Sequence, residues 1–508
     1  MAPSFAPVAL SPVETDVPRS TLLARVDALA AREKVLAAEN AALLARVDAL
    51  VARVAVLETE NAALREKLQA PPKTPDNSST PPSQGHKANG DGKPSPKARA
   101  HAGAHRPLHP NPTRYEAIHA EHCPHCHTDL GDVAQAAVQS YDRIEIPEIK
   151  PDVTRVVLHG GVCPCCAGRF KATAPAGLEP GSPFGPNLRA FVLYLRFGQA
   201  IPFERLARLL RDLFGLEISE GALAKLLQNS APAFAAQTSR IKQRLLASTV
   251  LASDETSVRV GKKTFWTWVF HHADSACFVI RPSRGKAVVR EFLGDVRPAV
   301  WISDRLGAQM GWATRDHQVC LAHLLRDIQY AIDAGDAAFA PGMKHLLQRA
   351  VRIGRRRPTL SDATLAAYHA RLQRALDGLL KIVPDTKPGL KLQRIIKRFR
   401  QNLFVFLTDR TVSPTNNGSE QALRPCVIFR KITNGFRSRW GADLYADVRS
   451  VLETARRRGV GILHALRLTL NGQPLPTACM NPLALHGLIA HSIDMQLAVD
   501  AVRNGRRP

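Results

Sequence analysis

A leucine recurs at every seventh position through the N-terminal part of the chain. Residues 22–42 are followed by a near copy at 43–63, with 16 of 21 positions identical. Because 21 residues make three heptads, the duplication keeps the leucines in phase. The leucines of this series, which we assign to heptad position d, are Leu22, Leu29, Leu36, Leu43, Leu50, Leu57 and Leu64. So long a repeat predicts a leucine-zipper coiled coil over residues 21–70.

The residues at heptad position a predict how this helix pairs. They are Val26, Glu33, Asn40, Val47, Val54, Asn61 and Leu68. Leucine at d with valine and asparagine at a favours two parallel strands, and the asparagine pairs fix the register. We therefore expect a homodimer or a larger assembly, with pairing to another protein as a second possibility. A single helix packed on its own domain is the alternative, and the unbroken heptads disfavour it.

The charge of the chain indicates the class of partner. The 508 residues include 69 Lys and Arg against 44 Asp and Glu, which gives a net charge of +25 and a pI near 10.2. Such an excess favours a polyanion, and nucleic acid is the first candidate. An apolar run of about 18 residues that could span a bilayer is missing, so we expect no membrane partner. The N-terminus lacks a secretory signal pattern, and we interpret residues 1–20 as disordered.

Two cysteine pairs follow a stretch rich in Pro, Gly, Ser and Lys at 71–112, which we predict to be a disordered basic linker. The pairs are separated by 36 residues that resemble two or three short strands. We predict one structural Zn²⁺ in a zinc-ribbon-like domain at 113–178, because tetrahedral zinc takes four thiolates. The predicted ligands are Cys123, Cys126, Cys163 and Cys166. Cys165, His125 and His127 are lower-ranked substitutes, and a redox-active cysteine pair is the competing interpretation.

The next segment, 184–240, has helical periodicity. Residues 201–228 predict a helix, a glycine-containing turn and a second helix that Ser219 caps, with Glu220 and Lys225 facing outward. Two interpretations remain open for this segment. It is either a helix-turn-helix that reads DNA or a helical hairpin that only packs.

Two aspartates are predicted to meet in the part that follows. Three strand-like runs form a meander from about residue 246, and Asp254 lies on the first of them. A helix-like stretch comes next, and then a strand that ends at Asp304. If these two strands are neighbours, their carboxylates lie close together and repel unless a cation compensates. Mg²⁺ is a natural compensator because it prefers oxygen ligands.

A third acid, Glu420, starts a helix in an unusually basic block, 413–459. A structural explanation is available, since Asn417-x-x-Glu420 fits a capping box with Asn417 as the N-cap. A carboxylate within so much positive charge also fits a metal ligand beside phosphate-binding residues. We predict the phosphate contacts to be Arg424, Arg430, Lys431, Arg437 and Arg439. A solvated face is the interpretation for Arg456, Arg457 and Arg458.

The block NNGSEQALRPCVIFRKITNGFRSRWGADLYADVRSVLETARRRG resembles the terminal signature of the insertion-sequence-66 family of transposases. DET at 254–256, SD at 303–304 and CLAH at 320–323 resemble further landmarks of that family in the same order. The resemblance implies a multidomain α/β protein with an RNase H-like catalytic core at 246–460 and a helical insertion at about 330–405. We predict a C-terminal helical tail at 461–508.

The resemblance also implies a mechanism. It assigns Asp254, Asp304 and Glu420 to a metal-binding catalytic triad with two Mg²⁺ ions, for which Mn²⁺ is a substitute. The implied reaction is DNA strand cleavage at element ends, followed by attack of the freed 3′-hydroxyl on target DNA. Accessory transposition proteins and a place at the nucleoid in the bacterial cytoplasm are further implications. His323 would orient a phosphate or a water, or would simply pack at the start of a helix.

The sequence departs from the family pattern at two landmarks. Arg305 and Leu306 follow the second aspartate where the family usually has a glycine and an aromatic residue. Leu321 stands where the family has a tryptophan. These departures concern the geometry near Asp304 and leave all three carboxylates in place. The rival functions are a zinc- and zipper-containing DNA-binding regulator without catalysis, and an RNase H-like nuclease that hydrolyses without joining.

Overall fold

The computed structural model of the chain describes residues 18–78 and 106–477. The predicted disorder of most of 1–20 and of the central part of 71–112 lies outside the described residues, as does the tail after 477. The chain divides into two compact units, residues 1–73 and 74–508. Within the described residues, no helix combines the length and the apolar character needed to span a bilayer.

The first unit contains one helix, α1 (Arg19–Gln69), of 51 residues. Alanine, leucine, arginine and glutamate dominate its sequence, and these are strong helix formers. The d-position leucines are between 41% (Leu57) and 65% (Leu29) exposed in the single chain. An apolar stripe of this kind on an isolated helix needs a partner to be buried. The predicted heptad helix is present, and its pairing stays a prediction.

A mixed five-stranded sheet forms the centre of the second unit, in the order β5-β4-β3-β6-β7. Its strands are β3 (Val250–Val260), β4 (Lys263–His272), β5 (Ser275–Arg281), β6 (Val300–Ser303) and β7 (Asp316–Val319). The first three are antiparallel neighbours, as the meander predicted. β6 lies parallel to β3, and β7 lies parallel to β6. The fold is therefore α/β with a mixed sheet.

Helices cover this sheet. They are α2 (Pro186–Leu193), α3 (Phe203–Phe214), α4 (Glu220–Leu246), α5 (Lys286–Leu293), α6 (Leu321–Asp333), α7 (Ala340–Arg356), α8 (Asp362–Leu379), α9 (Lys387–Arg398), α10 (Asn417–Thr433), α11 (Arg439–Arg457) and α12 (Ile462–Leu470). The stretch 330–405, which was predicted to be a helical insertion, contains α7, α8 and α9. Between β6 and β7 the chain forms only a 3-10 turn, at Gly307–Gln309.

Two apolar cores hold the second unit together. The larger one joins α2–α4, α10 and α11 to the meander, with Trp268, Phe270 and Phe429 almost fully buried. The smaller one joins α6–α9 to the parallel strands, through residues such as Val250 and Val300. Both cores therefore include side chains of β3. This strand is anchored from two directions, which makes it a rigid support for its polar residues.

The predicted helical hairpin at 201–228 is present as α3, a turn and the start of α4. Gly215 ends α3 with φ of 63°, a left-handed conformation that suits glycine. Ser219 caps α4 by accepting a hydrogen bond from Ala222 N at 3.2 Å, and Glu220 and Lys225 are exposed. The inner face of α4 packs in the core of the sheet. DNA reading by this hairpin stays a prediction.

The cysteine-containing region has little regular structure. Two short strands, β1 (Gly160–Val162) and β2 (Arg169–Lys171), form an antiparallel hairpin around the second cysteine pair. Of the two or three strands that were predicted between the pairs, only β1 forms; residues 127–159 contain no strand, and side chains there such as Val138 and Val153 are largely exposed. The alternating sequence there has no partner strand on which to form a ladder.

The predicted solvated face at Arg456–Arg458 is wrong for two of the three arginines. The side chains of Arg457 and Arg458 are only 11% and 5% exposed. Arg457 donates to Ala273 O at 3.2 Å, and Arg458 donates to Ser275 Oγ at 2.9 Å. These bonds tie the end of α11 to the β4–β5 turn. Sequence periodicity could not reveal them because both acceptors lie about 180 residues away.

Candidate active site

The sheet brings Asp254 and Asp304 together. β3 and β6 pair in parallel, with Val250 opposite Val300 and Ala252 opposite Ile302. Extending this register by two residues places Asp254 across from Asp304, immediately after β6 ends. Carboxylate oxygens of Asp254, Glu255 and Asp304 all lie within 4.8 Å of one another. The predicted proximity of the two aspartates is therefore a consequence of strand register.

Glu255 is a member of this cluster that sequence reasoning did not select. Its Oε1 accepts hydrogen bonds from Arg284, at 2.8 Å from Nε and 2.7 Å from the terminal nitrogen. Its Oε2 accepts a bond from the buried amide of Gln309 at 2.5 Å. The side chain of Glu255 is 1% exposed. The position of Glu255 next to Asp254 in the sequence was the one hint that it belongs to the cluster. The sequence alone could not reveal that an arginine neutralises it.

Glu420 approaches the cluster from α10. Its Oε1 lies 3.8 Å from His323 Nε2 and 3.9 Å from a terminal nitrogen of Arg326, both on α6. His323 and Arg326 are three residues apart and so share one face of that helix. Glu420 is not within the 4.8 Å group, yet its charge contributes to raising the pKa of Asp254. The structure thus places all three predicted acids in one neighbourhood.

Buried polar residues fix the start of α10. Asn416 precedes the helix, is 2% exposed, and donates from its amide to Ser253 O at 2.8 Å. Ser419 Oγ donates to Asn416 Oδ1 at 2.6 Å and lies 2.8 Å from His271 Nε2. These contacts join α10 to both β3 and β4, one residue before Glu420. Sequence reasoning missed Asn416, Ser419 and His271, whose partners are more than 140 residues away in the chain.

The predicted capping box is wrong. The N-cap of α10 is Asn416, not Asn417, and the N-cap side chain makes no capping hydrogen bond. Asn416 instead uses its side chain to hold the strand that carries Asp254. The structural explanation that a capping box would have given for Glu420 therefore does not apply. Its carboxylate lies against His323 and Arg326.

The electrostatics of Asp254 are those of an acid that needs a cation. Burial raises its pKa well above the usual value, and the negative charges of Glu255, Asp304 and Glu420 raise it further. The bond from Glu255 N to Asp254 Oδ1, at 2.9 Å, opposes this only in part. Asp304 Oδ1 accepts from Leu306 N at 2.8 Å. A divalent ion among these oxygens would remove the repulsion.

A comparison with protein-family models decides the family. Residues 181–444, more than half of the chain, match the model described as Transposase IS66 family. This chain belongs to the IS66 family of transposases. The family membership that the resemblance implied is confirmed, and the matched region contains Asp254, Asp304 and Glu420. No curated protein matches the chain.

An open cavity of about 450 Å³ lies beside Asp304 of the transposase. One wall is the loop after β6, which contributes Asp304, Arg305 and Met310; the other walls include His323 on α6 and Phe399 after α9. Arg305, which replaces the usual glycine of the family, forms an ion pair with Asp327 on α6. The departure from the family pattern is therefore accommodated by a local charge partner.

The predicted DNA-contacting residues fall into two groups in the transposase. Arg424, Lys431 and Arg437 are exposed. Arg430 is partly buried and donates to Thr256 Oγ1 at 3.0 Å and to Ser257 O, which ties α10 to β3. Arg439 is exposed and pairs with Asp443 at 2.9 Å. Arg430 therefore has a structural role of its own in this fold.

The two cysteine pairs of the transposase have matching backbone conformations. In each pair the first cysteine's carbonyl accepts from the backbone four residues on, with His127 N–Cys123 O at 2.8 Å and Ala167 N–Cys163 O at 2.9 Å. His127 and Ala167 both have left-handed φ, 62° and 54°. Hydrogen bonding from Thr128 lowers the pKa of the Cys126 thiol, which favours the thiolate that metals bind. In residues 106–477 no three of these sulfurs come within 4.8 Å of one another.

Proposed function

We propose that this transposase cleaves DNA strands at the ends of an insertion sequence and joins the freed 3′-hydroxyl to target DNA. Asp254, Asp304 and Glu420 would hold two Mg²⁺ ions for this reaction. The observation that carries the proposal is the approach of Asp254, within β3, to Asp304, just after β6, with the charge of Glu420 at the start of α10 also acting on Asp254, in a chain of net charge +25. The sheet, in which β3 lies between an antiparallel meander and two parallel strands, supports an RNase H-like core.

The donor set fits hard cations. The cluster offers carboxylate oxygens, which Mg²⁺ and Mn²⁺ prefer. Glu255 already has Arg284 and Gln309 as partners, so Asp254 and Asp304 are the members left for a metal. Cations held there would activate the attacking oxygen and stabilise the leaving oxygen of a phosphodiester. Glu420, on α10, would complete the set.

The surrounding residues have roles that follow from their contacts. Arg284 neutralises Glu255 and so limits the negative charge that faces Asp254. Arg326, beside Glu420, is positioned to bind a phosphate oxygen while it restrains the carboxylate. Burial lowers the pKa of His323 and favours its neutral form, which suits a hydrogen-bonding rather than a charged role. Arg424, Lys431, Arg437 and Arg439 would bind DNA phosphates, and Arg430 would join them after releasing Ser257.

Other parts of the chain support the assembly of this enzyme. The exposed heptad face of α1 would pair with a second copy, and accessory proteins would act with the assembled transposase. One Zn²⁺ would join the two cysteine half-sites through Cys123, Cys126, Cys163 and Cys166. Their matching backbone conformations fit the two halves of a tetrahedral site. Zinc binding would supply the folding energy that this loop-rich segment lacks.

The triad is tested by removing one charge at a time. Asp254→Asn, Asp304→Asn and Glu420→Gln should each reduce Mg²⁺-dependent nicking of duplexes that carry the element end by about a thousandfold or more, since each variant loses a metal ligand. Asp295→Asn, which changes an exposed aspartate, is the matched control and should keep full activity. Melting temperatures check folding. Full activity in any one triad variant would remove that residue from the site.

Joining is tested separately from cutting. Duplexes with pre-cut 3′-hydroxyl ends should become covalently linked to a labelled plasmid by the wild-type chain in Mg²⁺. If the wild-type chain nicks DNA but never joins it, the protein is a nuclease and not a transposase that completes strand transfer. If the chain binds these duplexes but neither nicks nor joins them, the protein is a DNA-binding regulator without catalysis.

The zinc site is tested by metal content. The purified chain should contain about one zinc ion per protomer, and Cys123→Ser should lose it, because structural zinc sites need all four ligands. Cys165→Ser, at the spare thiol, is the control and should retain the metal. Equal zinc contents in the two variants would contradict the ligand assignment.

A further inference from the structure

Two segments without any carboxylate meet at the far end of β3. Residues 256–273 and 421–442 contain no Asp or Glu. Their basic residues are Arg259, Lys262 and Lys263 in the first, and Arg424, Arg430, Lys431, Arg437 and Arg439 in the second. Even in a basic protein, a solvated surface normally mixes both signs of charge. Two such segments in contact therefore form an unusual electrostatic surface.

The contact between the segments is built from backbone. Phe436 N donates to Arg259 O at 2.8 Å, and Gly261 N donates to Phe436 O at 2.7 Å. Val260 and Phe436 form a parallel β-bridge. Gly435 has φ of 93°, and a Cβ there would lie 2.3 Å from Arg259 O, so only glycine permits this approach. The loop between α10 and α11 is thereby held against the β3–β4 turn.

Four basic side chains on this junction have no partner of opposite charge. We name Arg259, Lys262, Lys263 and Arg437 the basic ridge. All four are exposed, and none forms an ion pair within the described part of the chain. Arg439 lies beside them but pairs with Asp443 and stacks on Phe265, and is therefore left out of the ridge. Unpaired cations on a rigid backbone are suited to phosphate oxygens.

The ridge has a defined distance from the acids. Asp254 and Val260 lie on the same strand, six residues apart, which corresponds to about 20 Å at a rise of about 3.3 Å per residue. Base pairs are stacked about 3.4 Å apart, so this distance equals about six base pairs of duplex. A duplex running alongside β3 with one phosphate at the acidic cluster would present its backbone to the ridge about half a helical turn away.

We propose that the basic ridge clamps the phosphate backbone of the DNA duplex about six base pairs from the phosphate that is cut. The inference rests on the proposed function, and it adds Arg259, Lys262 and Lys263 to the DNA interface and fixes the direction of the duplex. Because the ridge offers only cations, it contributes affinity and orientation without reading sequence. The acidic cluster and the ridge then act as two fixed points along one strand of the sheet.

The first measurement is DNA binding by Lys262→Ala/Lys263→Ala/Arg437→Ala in the full chain. We expect affinity to fall at least about tenfold, equally for element-end and random duplexes, and the salt slope to be smaller by about 0.9 for each phosphate that the variant no longer neutralises. Arg371→Ala/Arg374→Ala/Lys381→Ala removes the same charge from exposed sites on and after α8 and is the control. Equal binding by the two variants would overturn the proposal.

The second measurement locates the ridge on the DNA. Single methylphosphonate substitutions should weaken binding of the wild-type chain about five to seven base pairs from the cut phosphate. The ridge variant should be insensitive at those positions, since it has no cations there to bind the phosphates. The proposal is refuted if the substitutions weaken binding only at other positions. It is also refuted if they weaken binding of the wild type and of the ridge variant equally. Wild-type nicking is scored in parallel, so a chain that nicks without this pattern refutes the ridge alone, and a chain that never nicks refutes the proposed function.

Discussion

Two acids of the second unit, Glu453 and Asp254, have opposite surroundings. Glu453, on α11, is 3% exposed, and its carboxylate lies 2.6 Å from Arg456, 2.9 Å from Arg457 and 4.0 Å from Arg449. Asp254, on β3, has carboxylates as its neighbours instead. The first acid is compensated by the protein itself. The second faces like charges, which a bound cation would offset.

The direction of the pKa shift expresses this difference. Burial raises the pKa of Glu453, but the hydrogen bond from Arg456 and the charges of Arg457, Arg456 and Arg449 more than reverse the effect, and the net pKa is lowered. At Asp254 burial and neighbouring charges act together, and the pKa is raised well above its usual value. A buried acid with a lowered pKa stabilises the fold, whereas one with a raised pKa marks a site that gives up stability for function.

The largest effect on stability should come from Glu453→Gln. Removing one partner of a buried ionic cluster leaves the arginines uncompensated, which costs about 3–5 kcal/mol. Urea denaturation at pH 7 should show this as a lower midpoint. Glu217→Gln, at an exposed position, should leave the midpoint unchanged. A midpoint for Glu453→Gln equal to that of the control would show that the arginines do not depend on this carboxylate.

Asp254→Asn should have a smaller effect of opposite sign. In EDTA the substitution removes a crowded negative charge, and we expect a gain of about 1 kcal/mol in unfolding free energy. Added Mg²⁺ should then stabilise the wild type and not the variant, because only the wild type keeps the ligand. Thermal denaturation with and without Mg²⁺ measures both effects. A lower melting temperature for Asp254→Asn in EDTA would contradict the assigned repulsion.

The smallest effect should be the pH dependence of the stability that Glu453 contributes. Because the pKa of Glu453 is lowered in the folded state, its stabilisation is present above the unfolded pKa of about 4.3 and is lost as pH falls through the folded value. The stability difference between wild type and Glu453→Gln should therefore be largest near pH 7 and shrink below about pH 4. A difference that stays constant from about pH 7 down to about pH 3.5 would show that packing, not charge, causes the penalty.

Local patterns predicted much of this molecule. Alternating and apolar runs predicted β3–β5 and β6, heptads predicted α1, and the serine and glycine around residue 215 predicted the α3–α4 hairpin. The block around Glu420 indicated the family. These features depend on neighbours within a few residues, so a sequence contains them directly.

Other features could not be predicted from the sequence. The partners of Glu255, which are Arg284 and Gln309, were not visible in the sequence, and Arg456–Arg458 looked like ordinary charged residues until their partners were known. Asn416 was overlooked in favour of a local cap at Asn417, because its acceptor, Ser253 O, lies 163 residues away. The basic ridge likewise depends on a bridge between Val260 and Phe436. Each of these contacts is made only after the sheet has fixed its register.

By itself, the sequence indicated the periodic helix at the N-terminus, the order of the strands from β3 to β6, the family, and three candidate acids. The tertiary structure alone decided that Asp254 faces Asp304, that Arg284 neutralises Glu255, and that Glu453 is compensated where Asp254 is not. The reason is physical: propensity and periodicity act over a few residues, whereas the charge around a buried group depends on side chains that folding gathers from the whole chain.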